Sequence, residues 1–249
     1  AQLNKTIKRL FLKNKKIFLI LGDIGVYGFR DLLKSKRALN IGILEQATIS
    51  FASGLAKVGF IPIVHTIATF MVSRAFEQLK LDFGYNHLNG NFISVGASYD
   101  YAGLGCSHHC PEDINLIKNI PNMQIIVPGN SFEFDKLFSE SYTINKPKYY
   151  RLSSEENKLQ CKVKFGKGII LNQGAKVTVI AVGPVLNNTY EICKKLNVNL
   201  IYYTTVRPFD KKIIKKLKNK AKKILIIEPY YSGSITNEVL DSFGNIKVK

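Results

Sequence analysis

Short apolar segments alternate along this chain with longer segments in which apolar residues recur every three or four positions. The short segments are typical of buried strands, and they cover residues 16–21, 38–43, 61–64, 92–95, 124–127, 148–152, 177–182, 199–203 and 223–227. The longer segments predict amphipathic helices at residues 45–58, 73–85, 111–118, 131–144, 186–196, 211–220 and 233–241. Strands that alternate with helices build parallel sheets from β-α-β units. The pattern therefore predicts an α/β protein.

Polar, turn-prone residues interrupt the pattern at residues 153–167, a segment that begins Ser-Ser-Glu-Glu-Asn-Lys. Such a change in composition is typical of a domain boundary. We therefore expect two domains, residues 1–155 and 165–249, each a mostly parallel sheet flanked by helices. The last residues, 244–249, have the composition of the opening of another strand.

The composition is that of a folded protein with a strong positive charge. The 249 residues include 36 Lys and Arg against 18 Asp and Glu, which gives a net charge of +18, and 46% of the residues are hydrophobic. That apolar content supplies a buried core and excludes a disordered basic tail. The lysines of residues 211–223 have the spacing of the solvated face of an amphipathic helix. The charge therefore does not indicate a nucleic-acid partner, and we expect none.

The sequence also predicts neither a membrane span nor a disulfide or metal framework. The longest apolar stretch, residues 59–72, is shorter than the roughly 18 residues of a spanning helix, and Pro62 and His65 interrupt it. No spacing that suits disulfides or zinc occurs among the cysteines, which are Cys106, Cys110, Cys161 and Cys193. These features favour a reducing, cytoplasmic environment and no metal ligand in this chain.

The first candidate for chemistry is Glu45, which stands between a predicted strand and a predicted apolar helix. A carboxylate at the start of a helix commonly does no more than interact with the helix dipole. A carboxylate between apolar neighbours, where α/β folds bind ligands, is also suited to proton transfer. Both interpretations of Glu45 stay open on spacing alone.

Two loops carry the next candidates. Phe70 lies between a strand and a helix, where an aromatic ring either joins the core or stacks on a flat heterocycle. His108 and His109 lie in a glycine-rich loop between Cys106 and Cys110. Adjacent histidines rarely converge on one ion, so we expect no metal here. A histidine that donates to substrate oxygens and a plain loop or helix-capping role are the two alternatives.

The fourth candidate is Arg151, at the end of the strand predicted for residues 148–152. A guanidinium in this position is suited to bind a phosphate through two parallel hydrogen bonds. All four candidates lie in loops or at element ends, where parallel sheets carry their ligands.

Short motifs that contain these candidates run in order through almost the whole chain. They are Leu44-Glu45-Gln46 through Gly54-Leu55-Ala56, Thr69-Phe70, Arg74-Ala75-Phe76-Glu77-Gln78, Ser107-His108-His109, Glu112-Asp113, Ile120-Pro121-Asn122, Val177 through Gly183, Arg207-Pro208-Phe209-Asp210 and Ile226-Ile227-Glu228. In this order they resemble the transketolase superfamily of thiamine diphosphate enzymes, especially 1-deoxyxylulose-5-phosphate synthases and split transketolases. The resemblance implies the superfamily's pyrimidine-binding domain followed by its carboxy-terminal domain.

The resemblance also implies a role for each candidate. Glu45 would be catalytic and hydrogen-bond N1′ of the aminopyrimidine of thiamine diphosphate, Phe70 would stack on that ring, and Arg74 would belong to the same cofactor site. His108 would be a second catalytic residue that reaches the substrate's oxygens. His109 and Arg151 would complete the substrate site.

Departures from the superfamily pattern shape what we expect. Its diphosphate and Mg2+ are held by a domain with a Gly-Asp-Gly motif, which this chain lacks; the nearest string is Gly22-Asp23-Ile24-Gly25. The acidic residue common before the Gly-x-(Thr/Ser)-His run is missing, and Ser154 stands where many relatives have a second arginine. The chain also ends before the last strand and helix of the superfamily's carboxy-terminal domain, so we expect that domain to be truncated.

We therefore expect the carboxy-terminal subunit of a split transketolase, which transfers a two-carbon ketol unit between sugars or sugar phosphates. An amino-terminal subunit would supply the diphosphate site and the Mg2+ ligands, and copies of this chain would meet through apolar helices of the first domain in an α2β2 heterotetramer. The departures at the His loop and at Ser154 count against an ordinary pentose phosphate as the substrate.

Three alternatives stay open. They are a pyruvate-using synthase, the β-type subunit of a 2-oxoacid dehydrogenase, and a non-catalytic assembly subunit. The third would have no need of Glu45, Phe70 and His108 together.

Overall fold

The computed structural model describes residues 1–217 and 221–243. The predicted end of one helix, at residues 218–220, and the strand predicted at 244–249 lie outside the described residues. The described strands are β1 (Ile17–Leu21), β2 (Ala38–Asn40), β3 (Ile61–Ile67), β4 (Gly90–Val95), β5 (Gln124–Ile126), β6 (Pro147–Arg151), β7 (Gly168–Asn172), β8 (Lys176–Val182), β9 (Asn199–Tyr203), β10 (Thr205–Arg207) and β11 (Ala221–Ile227).

Within the described residues these strands form two sheets. The first has seven strands in the order β10-β5-β6-β4-β3-β1-β2, and the second has four in the order β11-β8-β9-β7. Neighbouring strands run parallel except at one edge of each sheet, where β10 is antiparallel to β5 and β7 is antiparallel to β9. The predicted α/β class, with mostly parallel sheets, is confirmed.

Helices cover both faces of the sheets. They are α1 (Gln2–Lys13), α2 (Glu45–Lys57), α3 (Phe76–Gln78), α4 (Asp113–Ile117), α5 (Ser131–Ser141), α6 (Leu186–Lys195), α7 (Lys211–Lys215) and α8 (Thr236–Phe243). Two wider π-helical turns, Phe70–Arg74 and Leu79–Tyr85, flank α3. No helix in the described part of the chain is long and apolar enough to cross a membrane.

Every predicted strand segment that the structure describes contains a strand, but the sequence pattern missed helix α1 and strands β7 and β10. Helix α1 packs through Ile7, Leu10 and Phe11, whose helical spacing is hidden among lysines. Strand β7 follows the predicted boundary directly, and all five of its residues are only half-buried. Strand β10 is three residues long and pairs with β5, so a strand from the second predicted domain completes the sheet of the first.

The core lies on both faces of the first sheet. Along β1, Phe18 and Ile20 point into one apolar cluster, whereas Leu19 and Leu21 point into another. Both clusters continue into the second sheet, for example through Ile180 in the first cluster. Strands that are buried on both faces are apolar without interruption, which explains why their sequences were recognisable.

The carboxyl ends of β1, β3, β4 and β6 lie side by side, because these strands are parallel neighbours in the sheet. β3 and β4 lead into the segments that carry Phe70 and His108, and Arg151 is the last residue of β6. β2, the parallel neighbour of β1, leads into the segment that carries Glu45. This edge of the first sheet is therefore where the predicted site residues can meet, as in other parallel sheets.

Candidate active site

Glu45 is the first residue of α2, and its side chain is only 2% exposed. Its Oε2 accepts a hydrogen bond from Nη1 of Arg74 at 2.5 Å, and its Oε1 accepts one from the hydroxyl of Thr66 at 3.3 Å. A buried carboxylate needs such partners, because an unpaired charge away from water is costly. Each carboxylate oxygen still has capacity for a second donor.

The backbone around Glu45 depends on two glycines. Gly42, just before α2, has a φ of +84°, which glycine adopts without strain. Gly22, at the end of β1, lies so close to β3 that a Cβ there would be 2.8 Å from Oγ1 of Thr66. Thr66 therefore reaches Glu45 because residue 22 has no side chain.

Phe70 and Arg74 lie together in the π-helical turn that follows β3. The guanidinium carbon of Arg74 is 4.2 Å from the centroid of the Phe70 ring, which is the geometry of a cation–π contact. The wide turn places both residues on the same side, so Arg74 reaches Glu45 and covers one face of Phe70. Phe70 remains half-buried, with part of its ring accessible.

The two histidines lie in a closed loop, which we call the histidine loop and define as residues 98–110. Its ends are joined by backbone hydrogen bonds in both directions between Ser98 and Cys110. The ring of His108 meets the edge of Phe70, with the centroids 5.2 Å apart, and its Nδ1 lies 3.0 Å from the hydroxyl of Ser107. Glu45, Arg74, Phe70 and His108 therefore form one continuous group.

His109 faces a different neighbour from His108. Its ring packs against the edge of Tyr99 at a centroid distance of 5.1 Å, and its Nε2 is buried without a hydrogen-bond partner among the described residues. Cys106 is exposed in the same loop, whereas burial raises the pKa of the Cys110 thiol, which makes it unreactive. Both cysteines are free thiols.

Arg151 is placed apart from this group. Its side chain is 1% exposed, and its Nε donates to Oδ2 of Asp113 at 2.7 Å. Its Nη2 donates to the hydroxyl of Ser98 at 2.6 Å and to the carbonyl of Pro229 at 3.1 Å. This geometry does not support the predicted contact of Arg151 with a substrate phosphate, because protein groups enclose the guanidinium.

Sequence reasoning missed several residues that shape the site. Thr66 is a hydroxyl residue within the otherwise mainly apolar strand β3, and this exception was the available signal. His65 beside it is buried, and burial lowers its pKa; its Nδ1 lies 3.0 Å from the carbonyl of Ile93. Asp100, which accepts a hydrogen bond at 2.8 Å from the hydroxyl of Ser154, was also missed.

The residues of the group fit a flat, nitrogen-containing ring better than a metal ion. Glu45 offers a buried anionic acceptor beside the accessible part of the Phe70 ring, and these are the groups that bind and stack a protonated heterocycle. Among residues 1–217 and 221–243, no cluster of three or more His, Cys, Asp or Glu side chains could hold a metal ion.

Two family models match this chain and together cover almost all of it. The model for the transketolase pyrimidine-binding domain matches residues 3–159, and the model for the transketolase C-terminal domain matches residues 166–248. The chain belongs to the transketolase family. The resemblance inferred from the motifs is confirmed at this level.

Curated relatives of this transketolase-family chain differ in how much of their length it spans. It is 34% identical to an uncharacterized 33.6 kDa protein in the fasciation locus of Rhodococcoides fascians, covering 90% of this chain and 73% of that protein. It is 26% identical to the B-type subunit of the apulose-4-phosphate transketolase of Actinobacillus succinogenes, covering 84% and 71%. It is 29% identical to 1-deoxy-D-xylulose-5-phosphate synthase of Glaesserella parasuis, covering 84% of this chain but only 35% of the synthase.

A solved structure of similar size shares this transketolase-family fold. It is a split gene transketolase in the form of an inactive β4 tetramer, and it matches with a TM-score of 0.85 and 26% sequence identity. The match covers 97% of the present chain and 83% of that one. The arrangement of the two sheets is therefore one that a split transketolase chain adopts.

Proposed function

We propose that this chain is the carboxy-terminal, B-type subunit of a split thiamine diphosphate-dependent transketolase. The observation that carries the proposal is the buried carboxylate of Glu45, which starts α2 and is joined through Arg74 to the half-buried ring of Phe70. The similarity to a B-type transketolase subunit and to a split gene transketolase supports it. In this proposal the enzyme transfers a two-carbon ketol unit between sugars or sugar phosphates.

The cofactor's aminopyrimidine would be held by Glu45, Phe70 and Arg74. When bound, thiamine diphosphate supplies a nucleophilic carbon. Such a carbon is needed to make and break a bond next to a carbonyl group. Glu45 accepts a hydrogen bond from the ring nitrogen and so holds a proton at that atom. Arg74 and Thr66 fix the carboxylate in place, and Phe70 presents a flat surface for the ring.

His108 would donate to the oxygens of the substrate. Its ring is fixed between Phe70 and Tyr101, with centroids at 5.2 Å and 6.3 Å, so the imidazole has a defined position next to the cofactor site. Its Nδ1 lies beside the hydroxyl of Ser107, which leaves Nε2 for the substrate. His109 is the second candidate for substrate contact in this loop.

The diphosphate and Mg2+ would be bound by a separate amino-terminal subunit. Exposed apolar residues occur just before α2, within it and in the π-helical turn Leu79–Tyr85 that packs against it; they are Ile43, Leu44, Phe51, Leu81 and Tyr85. Large apolar side chains exposed on neighbouring elements are typical of an interface. We propose that copies of this chain and its partner meet here, in an α2β2 heterotetramer whose cofactor sites lie between chains.

In this proposal the substrate is not an ordinary pentose phosphate. Asp100 accepts hydrogen bonds from the hydroxyls of Ser153 and Ser154 at 3.1 and 2.8 Å, and from the amide of Ser154 at 2.9 Å. A carboxylate with two serines offers no positive charge for a phosphate. This favours an acceptor whose distal end carries hydroxyl groups rather than a phosphate.

Reconstitution tests the proposed reaction. The chain is mixed with an amino-terminal transketolase subunit that carries a Gly-Asp-Gly motif, with thiamine diphosphate and Mg2+, and is supplied with a ketose donor and an aldose acceptor. We expect products that differ by two carbons and no release of carbon dioxide, and we expect Glu45→Ala to abolish the transfer. In a parallel mixture that contains pyruvate in place of the ketose, consumption of pyruvate with release of carbon dioxide would instead support the synthase or dehydrogenase alternatives.

A further inference from the structure

The first residue of the histidine loop, Ser98, contacts a segment of the second predicted domain. The hydroxyl of Ser98 donates to the carbonyl of Pro229, and Arg151 donates through Nη2 both to that hydroxyl and to that carbonyl. The same guanidinium is tied through Nε to Asp113, just beyond the other end of the loop. One buried side chain therefore joins both ends of the loop to the second domain.

We propose that Arg151 is a positioning residue, which holds the base of the histidine loop so that His108 lies against Phe70, and that it is not a ligand of the substrate. The inference rests on the proposed function for the role of His108. It reassigns Arg151 from the substrate site, where the sequence had placed it, to the support of the loop.

The loop itself is rigid enough to transmit this support. Successive backbone hydrogen bonds cross it, for example from the amide of Ala102 to Tyr99 and from the amide of His108 to Gly105. Its two ends are paired through Ser98 and Cys110. Since the ends are joined and the interior turns are bonded, a shift at Ser98 moves the whole loop, including the imidazole of His108.

Further contacts show that the second domain supports this region over some distance. The amide of Tyr231 donates to the carbonyl of Pro111 at 2.8 Å, and the ring of Tyr230 lies 5.3 Å from the Arg151 guanidinium carbon. The hydroxyl of Ser234 donates to Asn115 at 2.9 Å. The segment from Pro229 to Ser234 thus lies along the loop base and α4.

The chemistry of the pair explains why Arg151 cannot also bind an anion in this arrangement. Asp113 is fully buried, and besides Arg151 it accepts from the hydroxyl of Tyr149 at 2.9 Å. A buried carboxylate that loses its cation is left uncompensated. Moving Arg151 outward to a substrate would therefore separate the pair and also release Ser98.

Hydrogen exchange of the full chain, followed by mass spectrometry, tests the inference without any cofactor or partner. We compare Arg151→Lys and Ser98→Ala with Arg37→Met as the matched control. Arg37 is also a guanidinium that donates to a backbone carbonyl, that of Ile17 at 2.7 Å, but it lies far from the loop along the chain. Exchange is read at amides 98–112 and, for comparison, at the amides of β1 and β8.

We expect Ser98→Ala and Arg151→Lys to speed exchange at amides 98–112 on the order of tenfold while β1 and β8 keep their protection. Lysine can still pair with Asp113 but cannot reach Ser98 and Pro229 at the same time, so it separates loop support from charge balance. Arg37→Met should leave the loop unchanged. Unchanged loop exchange in both variants, or equal loss of protection in β1 and β8, would overturn the inference, whatever the outcome for the proposed function.

A kinetic measurement on the reconstituted enzyme gives a second, independent readout. A positioning role predicts that Arg151→Lys lowers kcat and leaves the KM for a phosphorylated and for an unphosphorylated acceptor in the same ratio. A direct phosphate contact predicts instead that the KM for the phosphorylated acceptor rises selectively. The second result would overturn the inference.

Discussion

The guanidinium of Arg74 lies 2.5 Å from the carboxylate of Glu45, and the two residues differ sharply in exposure. The glutamate side chain is 2% exposed, whereas the arginine side chain is 39% exposed. Arg74 therefore pairs with a buried carboxylate while part of its own side chain stays in solvent. It also covers one face of Phe70, so the same side chain fixes two of the groups proposed to hold the cofactor.

Replacing Arg74 by methionine should destabilise the chain by about 1–3 kcal/mol, because the buried Glu45 keeps only Thr66 as a partner. Methionine retains contact with Phe70, so the loss reports on the charge. Arg9→Met is the matched control, since Arg9 pairs with Asp135 at 2.7 Å on the surface. An exposed pair contributes less than about 1 kcal/mol. If urea denaturation shows that the two variants lose the same free energy of unfolding, the stronger contribution of the Arg74–Glu45 pair is contradicted.

Gly22→Ala should displace Thr66 and, through it, Glu45. The new Cβ would lie 2.8 Å from Oγ1 and 2.9 Å from Cβ of Thr66, closer than side chains pack, so we expect a loss of about 1–3 kcal/mol. Gly54→Ala in α2 is the control, because no atom lies within 4 Å of the added Cβ. That change should stabilise the helix by about 0.5–1 kcal/mol. Thermal unfolding should therefore show a lower midpoint temperature for Gly22→Ala and a higher one for Gly54→Ala than for wild type.

Glu133 should make the stability of the chain depend on pH. It is a buried residue of α5 whose Oε2 accepts from the hydroxyl of Tyr202 and the amide of Gly129, while its Oε1 has no partner among the described residues. Burial raises its pKa from 4.5 to about 7. Because the folded state then holds the proton more tightly than the unfolded state, this contribution to stability is complete below pH 4.5 and is lost as the pH rises to about 7.

The variant Glu133→Gln removes that dependence. Relative to it, the wild-type chain should lose up to about 3 kcal/mol between pH 4.5 and about 7. The control is Glu140→Gln on the same helix, because the amide of Phe165 and the ammonium of Lys136 outweigh burial and lower the pKa of Glu140. As the pH rises over this range, the urea concentration at the midpoint of unfolding should fall for Glu140→Gln as it does for wild type. A wild-type curve parallel to that of Glu133→Gln would refute the assignment.

Much of the fold could be predicted because burial on both faces makes parallel strands continuously apolar. The missed elements α1, β7 and β10 depend on information that is not local. Strand β10 forms because it pairs with β5. The three apolar contact residues of α1 lie among lysines, which makes their helical spacing hard to recognise. The helix predicted for residues 73–85 is observed only as the short α3 between two wide π-helical turns, and this widening is visible only in three dimensions.

The candidate site shows the same limit. The order of motifs was enough to name Glu45, Phe70, Arg74 and His108, which the structure brings together. Arg151 was named because an arginine at the end of a parallel strand is suited to bind anions. Its partner Asp113 is 38 residues away along the chain, so the sequence alone gave no sign that the guanidinium is buried.

Calorimetry of thiamine diphosphate binding tests the central claim most directly. The chain and an amino-terminal subunit with a Gly-Asp-Gly motif are titrated with the cofactor and Mg2+, using wild type, Glu45→Gln and the control Glu140→Gln. Losing a hydrogen bond to a charged group of about 1.5–3 kcal/mol should weaken binding roughly ten- to a hundredfold for Glu45→Gln only. Equally tight binding by all three proteins, or no binding by wild type, would contradict the account.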